Sequence, residues 1–301
     1  MKLNLTKPHP SLSPAKTIVF TLACILIFIL VAVICSLLTF WIPSNVVKVV
    51  IRELLLRVPL TIWSLHYFAG KVIRVYNPAA IYGKLTILKT LKWIVISFIL
   101  PVLVWLFYYL FHFAVPFVHS MSLSTADELT ILIKWVSISI AAGLTEEVLF
   151  RGHLFMIINS SYSKTRAILI TSLIFGLVHI AMLSSFGITD IVIVVIGGII
   201  SGIMFSCIYQ YTKVIWYAAI VHSVWDIFFI GKITALASSG AEASKILIAF
   251  KLTTKSLLFT GGNFGIEASL PCLTIYLLVT LVLLGCFAYR GRFNNLNFNR
   301  A

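Results

Sequence analysis

Residues 17–42 read TIVFTLACILIFILVAVICSLLTFWI, a run without one charged side chain. At 1.5 Å per residue such a run makes a helix about 39 Å long, more than the roughly 30 Å hydrocarbon core of a bilayer. It is too long for a cleavable leader and no A-x-A site follows it, so it is expected to stay as a first membrane span. Comparable runs occupy 93–118, 167–186, 191–212 and 269–289. The stretch 129–158 reads as another span although it holds Lys134, Glu146, Glu147 and Arg151, and 214–231 as a shorter one around Asp226. The run 46–70 is crowded by Lys48, Arg52, Glu53 and Arg57 in its first half. Glu53 and Arg57 stand i,i+4 and can neutralise each other on one helix face. The competing reading for 46–70 is an amphipathic helix lying in the interface.

The whole composition agrees with these runs. Of 301 residues 60% are hydrophobic and 11% charged, with a mean hydropathy of +1.07. A soluble domain is about a quarter charged. The net charge of +14 comes from 23 Lys and Arg against nine Asp and Glu. These cations cluster at the borders of apolar runs, where cytoplasmic loops retain them, so the excess marks orientation rather than a nucleic-acid partner. Lys2, Lys7 and Lys16 place the N-terminus in the cytoplasm, and Lys71, Arg74, Lys84, Lys89 and Lys92 place 71–92 there too. Both hold only if 46–70 crosses. Lys164, Arg166, Lys213, Arg290, Arg292 and Arg300 then fall inside, and Asp127, Glu128 and Asp190 outside. The expectation is an all-α, polytopic transmembrane helical bundle of about eight spans, with N- and C-termini cytoplasmic. It forms a single integral membrane domain over 1–301, expected in the plasma membrane. Residues 232–268 fall outside in this scheme despite Lys232, Lys245, Lys251 and Lys255, and are left unassigned as a loop or surface segment. Cys24, Cys35, Cys207, Cys272 and Cys286 all lie in apolar runs without C-x-x-C spacing, which fits neither a disulfide framework nor a thiolate metal site.

Chemistry enters with the ionisable groups. Glu146, Glu147, Arg151 and Asp226 would together cost on the order of 10 kcal/mol if left unpaired in lipid. They must pair or face a polar cavity, which makes them functional candidates. Adjacent helical residues point about 100° apart, so Glu146 and Glu147 are expected to do different work. Glu147 and Arg151 are spaced i,i+4 with the acid N-terminal, the favourable order for an ion pair. Glu146 is then the carboxylate free to act. Phe175 and His179 share a face of the next span, and His222 and Asp226 a face of the span 214–231. Acid and imidazole groups on three separate spans are satisfied most economically by one shared pocket. His153, His66, His112, His119 and His9 are read as interfacial or solvated. Gly198 and Gly202 are read as a small-residue packing face.

The order E-E-x-x-x-R (Glu146, Glu147, Arg151), F-x-x-x-H (Phe175, His179) and H-x-x-x-N/D (His222, Asp226) resembles the CAAX-protease and bacteriocin-processing (CPBP, or Abi) family of intramembrane endopeptidases. The resemblance covers 129–231, the CPBP-like catalytic core. It implies a glutamate-dependent peptidase without a cofactor, acting on a membrane-associated protein or peptide, for prenyl-protein or peptide processing or self-immunity. Glu146 would be the base on water, His179 would orient that water, and His222 and position 226 would stabilise the oxyanion. An Asn at 226 could donate directly. Asp226 would have to be protonated to donate, or would instead accept from His222.

Two alternatives accompany this reading. In the first, Glu146, His179 and His222 hold zinc for a metal-dependent version of the same hydrolysis. In the second, the chain is a non-enzymatic immunity or scaffold protein, or a proton-coupled transporter, although no inverted repeat is evident.

Overall fold

The computed structural model describes residues 12–116, 123–183, 186–231, 233–236 and 245–298. Lys2, Lys7, His9, His119, Lys232 and Arg300 lie outside the described residues. Each of the eight apolar runs forms a helix over most of its described residues. Helix α1, Pro14–Thr39, starts where Ser13 accepts a hydrogen bond from the Lys16 amide. Helix α2 is one rod built from Asn45–Val50, the π-helical Ile51–Arg57, Val58–Phe68 and the π-helical Ala69–Ile73. Then come α3, Ile87–Leu110, and α4, Thr125–Glu147, which runs on through the π-helical Val148–Leu154 into Phe155–Asn159. Helix α5 spans Lys164–Val178 and tightens into the 3-10 turn His179–Met182. Helices α6, Ile188–Thr212, α7, Ile215–Phe229, and α8, Leu270–Phe298, complete the bundle.

Among the described residues, α1, α3, α4, α5, α6 and α8 are each long and apolar enough to cross a membrane. This is an integral membrane protein. Helix α7 has only 15 residues. In α2 the anticipated pair forms, with Arg57 Nη1 2.9 Å from Glu53 Oε2, and Arg52 Nε adds a second contact at 2.8 Å.

The all-α expectation needs one amendment. Strands β1, Ala114–Pro116, β2, Thr234–Leu236, and β3, Ile248–Leu252, form a small sheet in the order β1-β3-β2. The run expected to span 93–118 instead begins at Ile87, and past Leu110 the chain turns through His112, at φ 54°, into β1. The segment left unassigned from the sequence therefore has structure. β3 pairs antiparallel with β1 and parallel with β2, and Phe250 stacks on Trp105 of α3 with centroids 4.5 Å apart. Beyond it the turns Leu257–Thr260, Gly262–Phe264 and Ile266–Ala268 lead back to the head of α8.

Two close helix contacts position the site. Helix α5 packs along α6 and α4 along α7. Gly198 of α6 lies directly against the Gly176 backbone, where a β-carbon would have no room, and the Cβ of an alanine at 202 would fall 2.9 Å from Ser172 Cβ. In α4 a β-carbon at Gly143 would sit 2.7 Å from the Ser223 amide and 2.8 Å from the Ala219 carbonyl of α7. Small residues at such crossings let backbones approach closely enough for dispersion and short polar contacts to hold helices together in lipid.

Candidate active site

Gly143 lies one turn before Glu147, and its partner Ser223 adjoins His222. The close α4–α7 crossing therefore delivers the imidazole to the acids. Glu147 Oε1 sits 2.8 Å from Arg151 Nη1 and 2.8 Å from His222 Nδ1. Both Glu147 and Arg151 are buried. The expected ion pair forms, and it also clamps a residue on another helix. Because a carboxylate accepts, Nδ1 of His222 donates and its Nε2 points onward. There it meets Asp226 Oδ1 at 3.6 Å and Glu146 Oε2 at 4.0 Å. Neither is a hydrogen bond at that distance.

Glu146 and Glu147 diverge around the helix axis and have different partners: Glu147 holds Arg151 and His222, whereas Glu146 only faces the other nitrogen of the same ring. Asp226 likewise does not accept the hydrogen bond from His222 that i,i+4 spacing allows; Glu147 does.

His179 Nδ1 lies 2.7 Å from the Phe175 carbonyl. A carbonyl only accepts, so Nδ1 carries the proton and Nε2 of the neutral ring is left with its lone pair. Aromatic faces hold these groups. Phe205 stacks on His222 at 4.7 Å, Phe175 contacts His179 at 4.3 Å, and the Arg151 guanidinium lies over Phe175 at 4.2 Å and Phe205 at 5.1 Å. Such cation–π contacts partly replace the water that burial removes.

His179, His222 and Asp226 line one cavity, closed on α6 by Gly198 and Ser201. It encloses about 30 Å³ of space open to water, enough for roughly one or two molecules. Glu146 flanks this cavity without lining it, and its Oε2 is buried with no hydrogen-bond partner. Arg151 Nε and Nη2 and Glu147 Oε2 are likewise unpartnered.

The sequence reading missed Glu267, which lines the same cavity from the turn before α8. It is half-buried, and burial pushes its carboxyl up to about 7 against the opposing pull of His222. The Trp225 indole N–H lies beside it without closing a hydrogen bond of ordinary geometry. Acids are scarce here, nine in all, and Glu146, Glu147, Asp226 and Glu267 meet at one place. That scarcity was the available signal.

His153, read from sequence as interfacial or solvated, is fully buried with Nδ1 2.8 Å from the Tyr76 hydroxyl. Every residue of the π-helical turn Val148–Leu154 is buried, because helices pack against the wide turn from several sides. His66 stacks on Tyr82, and His112 is exposed.

The metal-dependent alternative would place zinc on Glu146, His179 and His222. Among the described residues, no group of three or more His, Cys, Asp or Glu gathers as ligands would. Both Nδ1 atoms are engaged elsewhere, which leaves the two Nε2 atoms as the only imidazole donors.

Residues 128–228, about a third of the chain, match the family described as type II CAAX prenyl endopeptidase Rce1-like. No curated protein and no solved structure matches the chain. The match runs from α4 through α7 and coincides with the stretch in which the three motifs resemble CAAX proteases.

Proposed function

We propose that this chain is an intramembrane endopeptidase of the CAAX-protease type, and that Glu146 is its general base. One observation carries the reading: a buried carboxylate oxygen without a partner, Glu146 Oε2, faces an imidazole that Glu147 and Arg151 hold from behind. Glu146 takes a proton from water as the water oxygen attacks the scissile carbonyl carbon. The carbonyl π pair moves onto oxygen, and groups at His222 and Asp226 stabilise the charge that forms. When the tetrahedral intermediate collapses, the C–N bond breaks and the amine leaves with the proton from Glu146. The lone pair on His179 Nε2 orients the water. Donors fixed in place before the charge develops gain strength where bulk water is excluded. The substrate class is a membrane-associated protein or peptide, for which a prenylated CAAX peptide is the first probe. The spans are eight, with both termini cytoplasmic, and the membrane is the plasma membrane.

The expected result with an internally quenched prenylated CAAX peptide is cleavage by the purified protein. Glu146→Gln should lower the rate by about 10²–10⁴, the usual contribution of a general base. Wild-type cleavage by Glu146→Gln would sink the proposal and leave a scaffold or proton relay. The reading uses no metal. A rate unchanged by chelators is therefore expected, and loss of activity that zinc restores would replace this mechanism with the metal-dependent one.

A further inference from the structure

Building on that reading, we infer that Glu267 is a positioning residue for Asp226. It places a second carboxyl in the cavity of Asp226, which therefore keeps its proton and donates an O–H to the oxyanion.

The turn that carries Glu267 is fixed in place. Asn263 donates from its amide to Asp190 Oδ1 at 3.0 Å and from Nδ2 to Oδ2 at 2.7 Å, tying the turn to the head of α6. Phe264, next in sequence, contacts the His179 ring at 6.2 Å. Three residues on, Glu267 shares the cavity wall with Asp226, which is 2% exposed.

Counting charges shows why a proton is retained. The groups facing Asp226 are Glu146 and Glu147 on α4 with Arg151 beyond them, His179 on α5, His222 on its own helix, Glu267 before α8 and the neutral phenol of Tyr276 on α8. No Lys or Arg lines the cavity among the described residues. Four carboxylates thus oppose one guanidinium, and even with both imidazoles charged a negative charge is left over. A buried site of small volume lowers that excess by keeping carboxyls protonated, as paired carboxyls do elsewhere. Asp226 is the more deeply buried of the cavity pair, so the retained proton belongs there. A protonated aspartate then supplies the donor that an asparagine amide would supply at 226.

The test uses the full chain in lipid nanodiscs with two readouts. The first is the infrared carbonyl band of a protonated carboxyl in the resting protein at neutral pH, expected in wild type and clearly weaker in Asp226→Asn. The second is cleavage of the same quenched peptide by a double-variant cycle. Asp226→Asn, whose amide donates without needing to hold a titrating proton, should lose the alkaline limb of the pH profile. Glu267→Gln should cut the rate at neutral pH about tenfold or more, within the 10²–10³ of one oxyanion donor, and move that limb to lower pH. In the Asp226→Asn background it should be silent. Glu267→Asp, which keeps the charge, should restore most of the rate and serves if Glu267→Gln does not fold. A missing Asp226-dependent band, or equal losses from Glu267→Gln in both backgrounds, would overturn the inference. Glu146→Gln should slow cleavage as stated above yet keep the band, so a failure of the base assignment shows separately.

Discussion

Removing Arg151 would leave Glu147 as a buried carboxylate held only by His222. Breaking a buried pair from one side typically costs about 3–5 kcal/mol, so Arg151→Ala should unfold at a clearly lower temperature in detergent, with the same decrease in yield. Arg151→Lys should recover little of this. A lysine ammonium cannot reproduce the flat guanidinium lying over the faces of Phe175 and Phe205, nor its fixed fork toward Glu147. At this scale the sequence was partly legible. The pair Glu147–Arg151 followed from spacing alone, because i,i+4 neighbours share a helix face. The link from Glu147 to His222 did not, since nothing in a linear chain says which ring nitrogen of a distant helix lies opposite an acid. Glu267 was missed for the same reason, being separated from its partners by a segment without periodicity.

Between elements, the α4–α7 crossing sets the site. Gly143→Ala would drive a β-carbon into the backbone of Ser223 and Ala219, which cannot rotate away as a side chain would. The helices would have to separate by several tenths of an ångström or more, lengthening the bond from Glu147 to His222. The expected outcome is at least a tenfold loss of peptide cleavage, with a drop of about 1–3 kcal/mol in stability as for other overpacked sites. An unchanged rate with normal folding would show that the crossing has slack. The helices themselves were readable because lipid forces apolar runs into hydrogen-bonded rods. Their local deviations were not. The π-helical turns in α2 and α4 depend on what packs around them, and His153 was misplaced because its burial comes from that packing.

For the whole molecule the orientation expected from Lys and Arg can be tested by labelling. In a background with the native cysteines replaced, Lys164→Cys should react with an impermeant maleimide only after permeabilisation, whereas Lys255→Cys should react in intact cells. Both positions are exposed. Labelling of both from one side would show that α7, with its 15 residues, does not cross. Composition by itself settled that this is a membrane-embedded helical bundle, since a chain with so few charges and such long apolar runs has no other way to satisfy its backbone. It also supplied the acids and imidazoles, which are too costly in lipid to stand there idle. Which of them touch, which nitrogen each ring presents, and how a late turn adds a fourth carboxyl were decided by packing. Those relations depend on helix crossings set by small residues and on a loop fold, and neither leaves a period in the sequence.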